Sequence, residues 1–190
     1  MKKSYAAWAV LLAITLIAGL ALALTNAVTK DTIAEVDAKK NAKAIAEVLG
    51  TDESSKLDTI TIDGLFYNLA YDANDDFLGA AVKTYSNAGF NGHIELMVGI
   101  LADGTIKAVS VLQQGETPGL GANMVNPKFK DQFNGRHPAS YKLQVKKDGG
   151  DVDAITAATI SSRAFTEAVK LACDGFEANK ATFMKGGNAQ

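Results

Sequence analysis

Four hydroxyl side chains, Thr156, Thr159, Ser161 and Ser162, crowd the stretch Asp153-Ala154-Ile155-Thr156-Ala157-Ala158-Thr159-Ile160-Ser161-Ser162, directly before an apolar helical pattern. The first turn of a helix offers backbone N–H groups without intrahelical partners and the positive end of the macrodipole, so a phosphate is favoured there. Ser and Thr in that position also serve as plain N-caps, and composition alone favours that simpler reading. A second candidate is the run Gly115-Glu116-Thr117-Pro118-Gly119-Leu120-Gly121-Ala122. Its glycines and proline describe a stiff, bare loop whose backbone can approach a ligand closely, or equally an ordinary connection between sheet and helix. It is neither a Walker A loop nor a dinucleotide fingerprint, because no Gly-Lys-Ser/Thr follows and Gly119-x-Gly121 has no third glycine.

The remaining reactive types read more plainly. Cys173 is the only cysteine, which excludes an intramolecular disulfide, a Cys-x-x-Cys redox pair and a cysteine-ligated iron-sulfur cluster. Any redox role therefore requires an organic cofactor. Cys173 itself falls in an apolar helical pattern and reads as a buried structural thiol. His93 and His137 have no accompanying ligand spacing, and neither is assigned to a metal. Lys128 and Lys130 around Phe129 read as a solvated pair, and Arg163 is a candidate to neutralise a phosphate at the helix start.

These groups need elements to position them. Leu57–Ile62, Leu65–Tyr71, Phe77–Tyr85, His93–Leu101 and Ile106–Leu112 are expected strands. They are separated by Asp63-Gly64, by Asp72 to Asp76, by Ser86 to Gly92 and by Asp103-Gly104, the last a strong hairpin signal. A loop over Gln113–Asn123, a helical or turn segment from Asn126-Pro127 to Phe133, and a strand at Tyr141–Val145 follow. The last element is a helix over Thr159–Met184, with Phe165, Ala168, Val169, Ala172 and Phe176 on one face. Strands first and a long helix last imply an α+β domain, an antiparallel sheet covered by helices.

The chain begins differently. Ser4 to Thr29 carries no charged side chain, and the 19 residues Ala6–Leu24 are almost wholly apolar. As a helix they span about 28 Å, close to the hydrocarbon thickness of a bilayer, and longer than the apolar core of a cleaved secretory signal. Tyr5 and Trp8 suit the interface, and Lys2 and Lys3 predict a cytoplasmic N-terminus with the C-terminal domain extracytoplasmic. Thr29–Gly50 reads as a further helix, a stalk continuing the span, and Thr51–Lys56 as a linker. The expected organisation is an anchor over 1–29, a stalk and linker over 30–56, and a domain over 57–190. Excluding Lys2 and Lys3, basic residues number 17 against 21 acidic ones, which offers no electrostatic footprint for nucleic acid.

Taken together, the two segments behind one N-terminal span resemble the G subunit of the Rnf electron transport complex and the related C subunit of sodium-translocating NADH:quinone reductase. The family motif is roughly Asp-Gly/Ala-x-Ser/Thr-Gly-Ala-Thr, and Asp153, Ala154, Thr156, Ala158 and Thr159 match it, while Ala157 stands where a glycine is usual. The resemblance implies FMN joined through its phosphate to Thr159 by a flavin transferase that uses FAD. It also implies contacts to the flavin from Glu116, Thr117, Pro118, Gly119, Leu120 and Gly121, and from Thr156, Ala158, Ser161 and Ser162 around the linkage. The chain length favours the Rnf branch. The expected role is a redox subunit of a membrane-bound, ion-translocating complex, with other subunits as partners, rather than a stand-alone catalyst. Two alternatives stay open: an independent membrane-anchored extracytoplasmic flavoprotein reductase or shuttle, and a cofactor-free anchored binding module whose hydroxyls only cap the helix.

Overall fold

A computed structural model describes residues 2–50 and 56–184; within it, Met1–Lys40 and Asn41–Gln190 are separate compact units. The first helix, α1 (Lys2–Leu49), is unbroken. It includes a stretch long and apolar enough to cross a membrane. Leu11, Leu12, Ile14, Ile17, Leu20 and Leu22 along it are exposed rather than buried in a protein core. The expected stalk is the C-terminal half of this same helix. It stops where Gly50 takes φ +53 and donates its N–H to the Ala46 carbonyl, the left-handed C-terminal residue that glycine adopts without Cβ strain. Of the expected linker, residues 51–55 lie outside the described residues and Lys56 already begins a strand.

Five strands follow: β1 (Lys56–Ile62), β2 (Leu65–Tyr71), β3 (Phe77–Gly89), β4 (Gly92–Leu101) and β5 (Ile106–Gln114). They form one antiparallel sheet in the order β1-β2-β3-β4-β5, so every neighbour in space is a neighbour in sequence. Asp63-Gly64 and Asp103-Gly104 form tight turns, with Asp63, Gly64 and Gly104 at positive φ. Strand β3 runs past the expected end at Tyr85 to Gly89, which leaves only Phe90 and Asn91 between it and β4. The expected separator Ser86 to Gly92 is therefore mostly strand. Similarly β5 extends beyond Leu112, and the loop starts at Gly115 rather than Gln113.

Alternation along the strands sorts the two faces. One face carries Tyr67, Leu69, Ala80, Val82, Ile94, Leu96, Val98 and Ile100 into a core with Phe165, Ala168, Val169, Ala172 and Phe176 of the last helix, α3 (Thr159–Phe183). The short helix α2 (Pro127–Lys130) and the 3-10 turn Asp131–Phe133 add Phe129 and Phe133, whose rings meet Phe165 at 5.1 and 5.2 Å between centroids. The opposite face carries Ala70, Ala81, Met97 and Leu112 against Ala44, Val48 and Leu49 of the last turns of α1. Contact there is close enough that a Cβ on Gly99 would overlap the Val48 backbone. Lys107 donates to the Leu49 carbonyl, while Glu47 accepts from Ser110 at 3.0 Å and Lys130 at 2.9 Å.

The strand expected at Tyr141–Val145 does not form. Val145 makes only an isolated bridge to Val152, and the segment folds back on its own continuation through the 3-10 turn Lys146–Asp148 and the left-handed Gly149. Lys142 donates its N–H to Asp151, and Val152 donates to the Gln144 carbonyl. Leu143 and Val145 are buried, so the residues alternate as in a strand with no sheet edge to join.

Candidate functional site

The run after β5 turns sharply where its residue types require. Leu120 donates its N–H to the Thr117 carbonyl at 3.1 Å, with Pro118 and Gly119 between them and Gly119 at φ +78. Proline pre-sets the first of the two central positions and glycine supplies the positive φ of the second, the pattern of a type II turn. Gly121 then brings the loop against the start of α3: a Cβ there would overlap both Ser161 Oγ and Glu116 Oε2.

The start of α3 is built from the other segment. Its N-cap is Ala158, which makes no side-chain cap, so plain capping by the nearby hydroxyls is not what they do. Ser162 Oγ donates back to the Ala158 carbonyl and accepts from the Ile155 N–H at 2.9 Å, bracing the preceding turn. Ser161 Oγ donates to Glu116 at 2.7 Å. Ser162 N–H bonds to the Ala158 carbonyl at 3.0 Å, so it belongs to the helix ladder, and the amides of Thr159 to Ser161 precede that first rung. Ala157, standing where the resembling family has glycine, takes φ +58. A left-handed conformation costs an L-residue about 1 kcal/mol or more and a glycine nothing comparable, which explains why glycine suits that position.

Between these two segments lies a cavity of about 310 Å³. Thr159, Ala158 and Ser161 form one wall, Glu116, Thr117, Leu120 and Gly121 another, and Phe90 and Ile160 extend the apolar rim. Thr159 is half-buried, and its hydroxyl has no partner among the described residues. A second cavity, of about 390 Å³, lies across Leu120 and Ala157; Gly119, Thr156 and Lys128 line it. Of the residues singled out in the sequence, the structure thus brings Glu116, Thr117, Leu120, Gly121, Ala158, Thr159 and Ser161 around the first cavity. Gly119 and Thr156 fall on the second, Pro118 shapes the turn, and Ser162 faces inward. Arg163 is not available to a phosphate in this arrangement, because it grips Asp148 through two nitrogens at 2.7 Å each. Lys130 is engaged by Glu47.

Sequence reasoning missed Phe90 and Asn91 at the tip of the β3–β4 hairpin. The 65% exposure of Phe90 and the two-residue turn that holds it are properties of the folded chain, and the sequence, whose turn formers mark Ser86 to Gly92 as a separator, carries no signal for either residue. Asn91 donates its backbone N–H to Glu116 at 3.1 Å and its side chain to the Gly115 carbonyl at 2.8 Å, tying the hairpin to the loop.

Residues 89–174 match the FMN-binding domain family, a span that runs from the hairpin tip through the cavity to mid-α3. Along most of its length the chain is 31% identical to the G subunit of the Na+-translocating ferredoxin:NAD+ oxidoreductase complex of Acetobacterium woodii, covering 88% of this chain and 89% of that protein. It is 34% identical to the G subunit of the ion-translocating oxidoreductase complex of Methanosarcina acetivorans, over 85% and 88% of the two chains. The chain belongs to this G-subunit family. Its fold is also that of the C subunit of the Na+-translocating NADH-quinone reductase from Parabacteroides distasonis, at 19% identity and a TM-score of 0.53, covering 81% of this chain and 96% of that one. In this member of the G-subunit family, both cavity-forming segments fall inside the FMN-binding match and α1 lies outside it.

Proposed function

We propose that this G-subunit homologue carries FMN in the 310 Å³ cavity, joined through its phosphate to Thr159, and passes electrons within a membrane-bound, ion-translocating oxidoreductase complex. The observation that carries this reading is the placement of the Thr159 hydroxyl on the cavity wall at the first residue of α3. The residues present fit the group. A phosphodiester there keeps one negative charge beside the leading amides of α3, worth about 0.3 to 1 kcal/mol from the macrodipole. Phe90, Leu120 and Ile160 supply apolar surface for a planar ring, and Gly121 keeps the loop close to the helix. The bound flavin supplies one- and two-electron chemistry that no side chain here provides.

A threonine hydroxyl is a weak nucleophile, and no base among the described residues is bonded to Thr159, so attachment requires an external flavin transferase. Thr156, Ala158 and Ser162 shape the turn that presents the hydroxyl to it. The first 29 residues serve as a single-pass anchor in the cytoplasmic membrane, residues 30–56 as stalk and linker, and the remainder as the flavin domain. Lys2 and Lys3 hold the N-terminus in the cytoplasm, which places the flavin domain outside, beside the other members of the complex.

The test is co-expression with a flavin transferase followed by denaturing electrophoresis. The wild-type band fluoresces as flavin and Thr159→Ala is dark. A dark wild-type band of unmodified mass, in cells that load a related protein, refutes the linkage.

A further inference from the structure

Glu116 is a buried carboxylate, 5% exposed, that forms no ion pair among the described residues and has no lysine or arginine among its cavity neighbours. Its two oxygens have different anchors. Oε1 accepts the Asn91 N–H from the hairpin tip, and Oε2 accepts the Ser161 hydroxyl from the first turn of α3. Acceptance at both oxygens is the pattern of an ionised carboxylate. Two glycines make room for it: a Cβ on Gly89 would press on Oε1 and a Cβ on Gly121 on Oε2. Its own N–H is bonded to Gln114 at 2.7 Å. Three separate pieces of chain therefore converge on one negative charge in the wall that Thr159 shares. Burying such a group is costly, and glutamine, its neutral isostere, has a single acceptor oxygen and so could take only one of the two bonds.

We infer that Glu116 is the charged positioning residue of this site: it locks the hairpin tip and the 115–121 loop to α3, and its charge lowers the reduction potential of the flavin held there. The inference rests on the reading that FMN occupies the cavity on Thr159. Reduction adds negative charge to the ring or requires it to take up a proton, and a fixed carboxylate in a poorly solvated wall opposes the added charge. At protein-like screening, a unit charge across such a cavity changes an equilibrium constant by about tenfold.

The experiment is redox potentiometry on the full-length, flavin-loaded chain in detergent, comparing wild type with Glu116→Gln and Glu116→Asp. Glutamine keeps the shape and one acceptor oxygen while removing the charge and the second acceptor; aspartate keeps the charge and both acceptors while shortening the reach. The expected result is a shift of Glu116→Gln to higher potential by about tenfold in the reduction equilibrium, about 30 mV for a two-electron couple. Glu116→Asp stays closer to wild type. An unchanged potential in Glu116→Gln, or an equal rise in Glu116→Asp, overturns the electrostatic assignment. Intact mass identifies a failure of the underlying reading separately, as a wild-type chain with no flavin on Thr159. In that event amide exchange decides the positioning role: Glu116→Ala must speed exchange at Asn91, and unchanged exchange there overturns it.

Discussion

Ala157 and Gly121 show what single positions contribute. Ala157 holds φ +58 two residues before Thr159, so the turn that presents the hydroxyl is strained by its own side chain. Ala157→Gly removes that strain and adds some freedom to the unfolded chain, for a net stabilisation of about 0.5 to 1 kcal/mol, measurable by chemical denaturation. Gly121 is the opposite case. Any Cβ there collides with Ser161 and Glu116, so Gly121→Ala costs about 1 to 3 kcal/mol and reduces flavin loading under co-expression. Residue chemistry made Thr159 and the 116–121 loop legible in the sequence, because hydroxyls before a helix and a Pro-Gly turn have local causes. The roles of Ser162, which braces Ile155, and of Phe90, which faces the cavity from another hairpin, depend on chain segments brought together only by folding.

At the scale of elements, the dock between the last turns of α1 and the sheet is a set of close contacts around Gly99 rather than one bond. Gly99→Val drives the Val48 backbone away and exposes residues 44–49, which limited proteolysis reads as faster cleavage there. The proposed flavin loading is expected to remain in this variant, because the cavity lies among the β3–β4 tip, the loop after β5 and the start of α3. By contrast, Lys130→Ala removes an ion pair whose glutamate is 44% exposed, and changes stability by less than about 1 kcal/mol. Strand ends were legible to within a residue where turn residues bracket them, as at Asp63-Gly64 and Asp103-Gly104. The extension of β3 to Gly89 was not, because Ser86, Asn87 and Gly89 are turn formers by type, and Ser86 is held by Glu167 of α3 at 2.6 Å. The false strand at Tyr141–Val145 has the mirror cause: alternate burial without a neighbouring edge imitates sheet patterning.

For the whole molecule, stability rests on the core between sheet and α3. Phe165 is fully buried among Phe129 and Phe133, and Phe165→Ala costs about 3 to 5 kcal/mol in denaturant titration. Burial pushes the Cys173 thiol up to about 12, so it resists alkylation at neutral pH until the chain unfolds, and labelling reports global opening. Among the described residues four carboxyls shift the other way: Glu47, where burial is outweighed by hydrogen bonds from Lys130 and Ser110, and three aspartates. Backbone N–H groups hold Asp72 and Asp103 below their ordinary range, and Arg163 does the same for Asp148. Their stabilising contribution is present above the ordinary aspartate range near pH 4 and is lost as the pH falls through their lower folded values. Thermal midpoints accordingly fall on acidification below about pH 4, and Asp148→Asn weakens that acid dependence.

Because the sheet is a simple meander, each hairpin can close as soon as its two strands exist, with only short loops to order. The threonine wall of the cavity, however, is contributed by the last helix of the chain and the opposite wall by a loop well upstream of it. Nascent chains therefore present no finished acceptor for the proposed linkage, which then has to follow synthesis: a pulse-labelled cohort would gain flavin only after the full-length product appears, with truncations before α3 never serving as substrates.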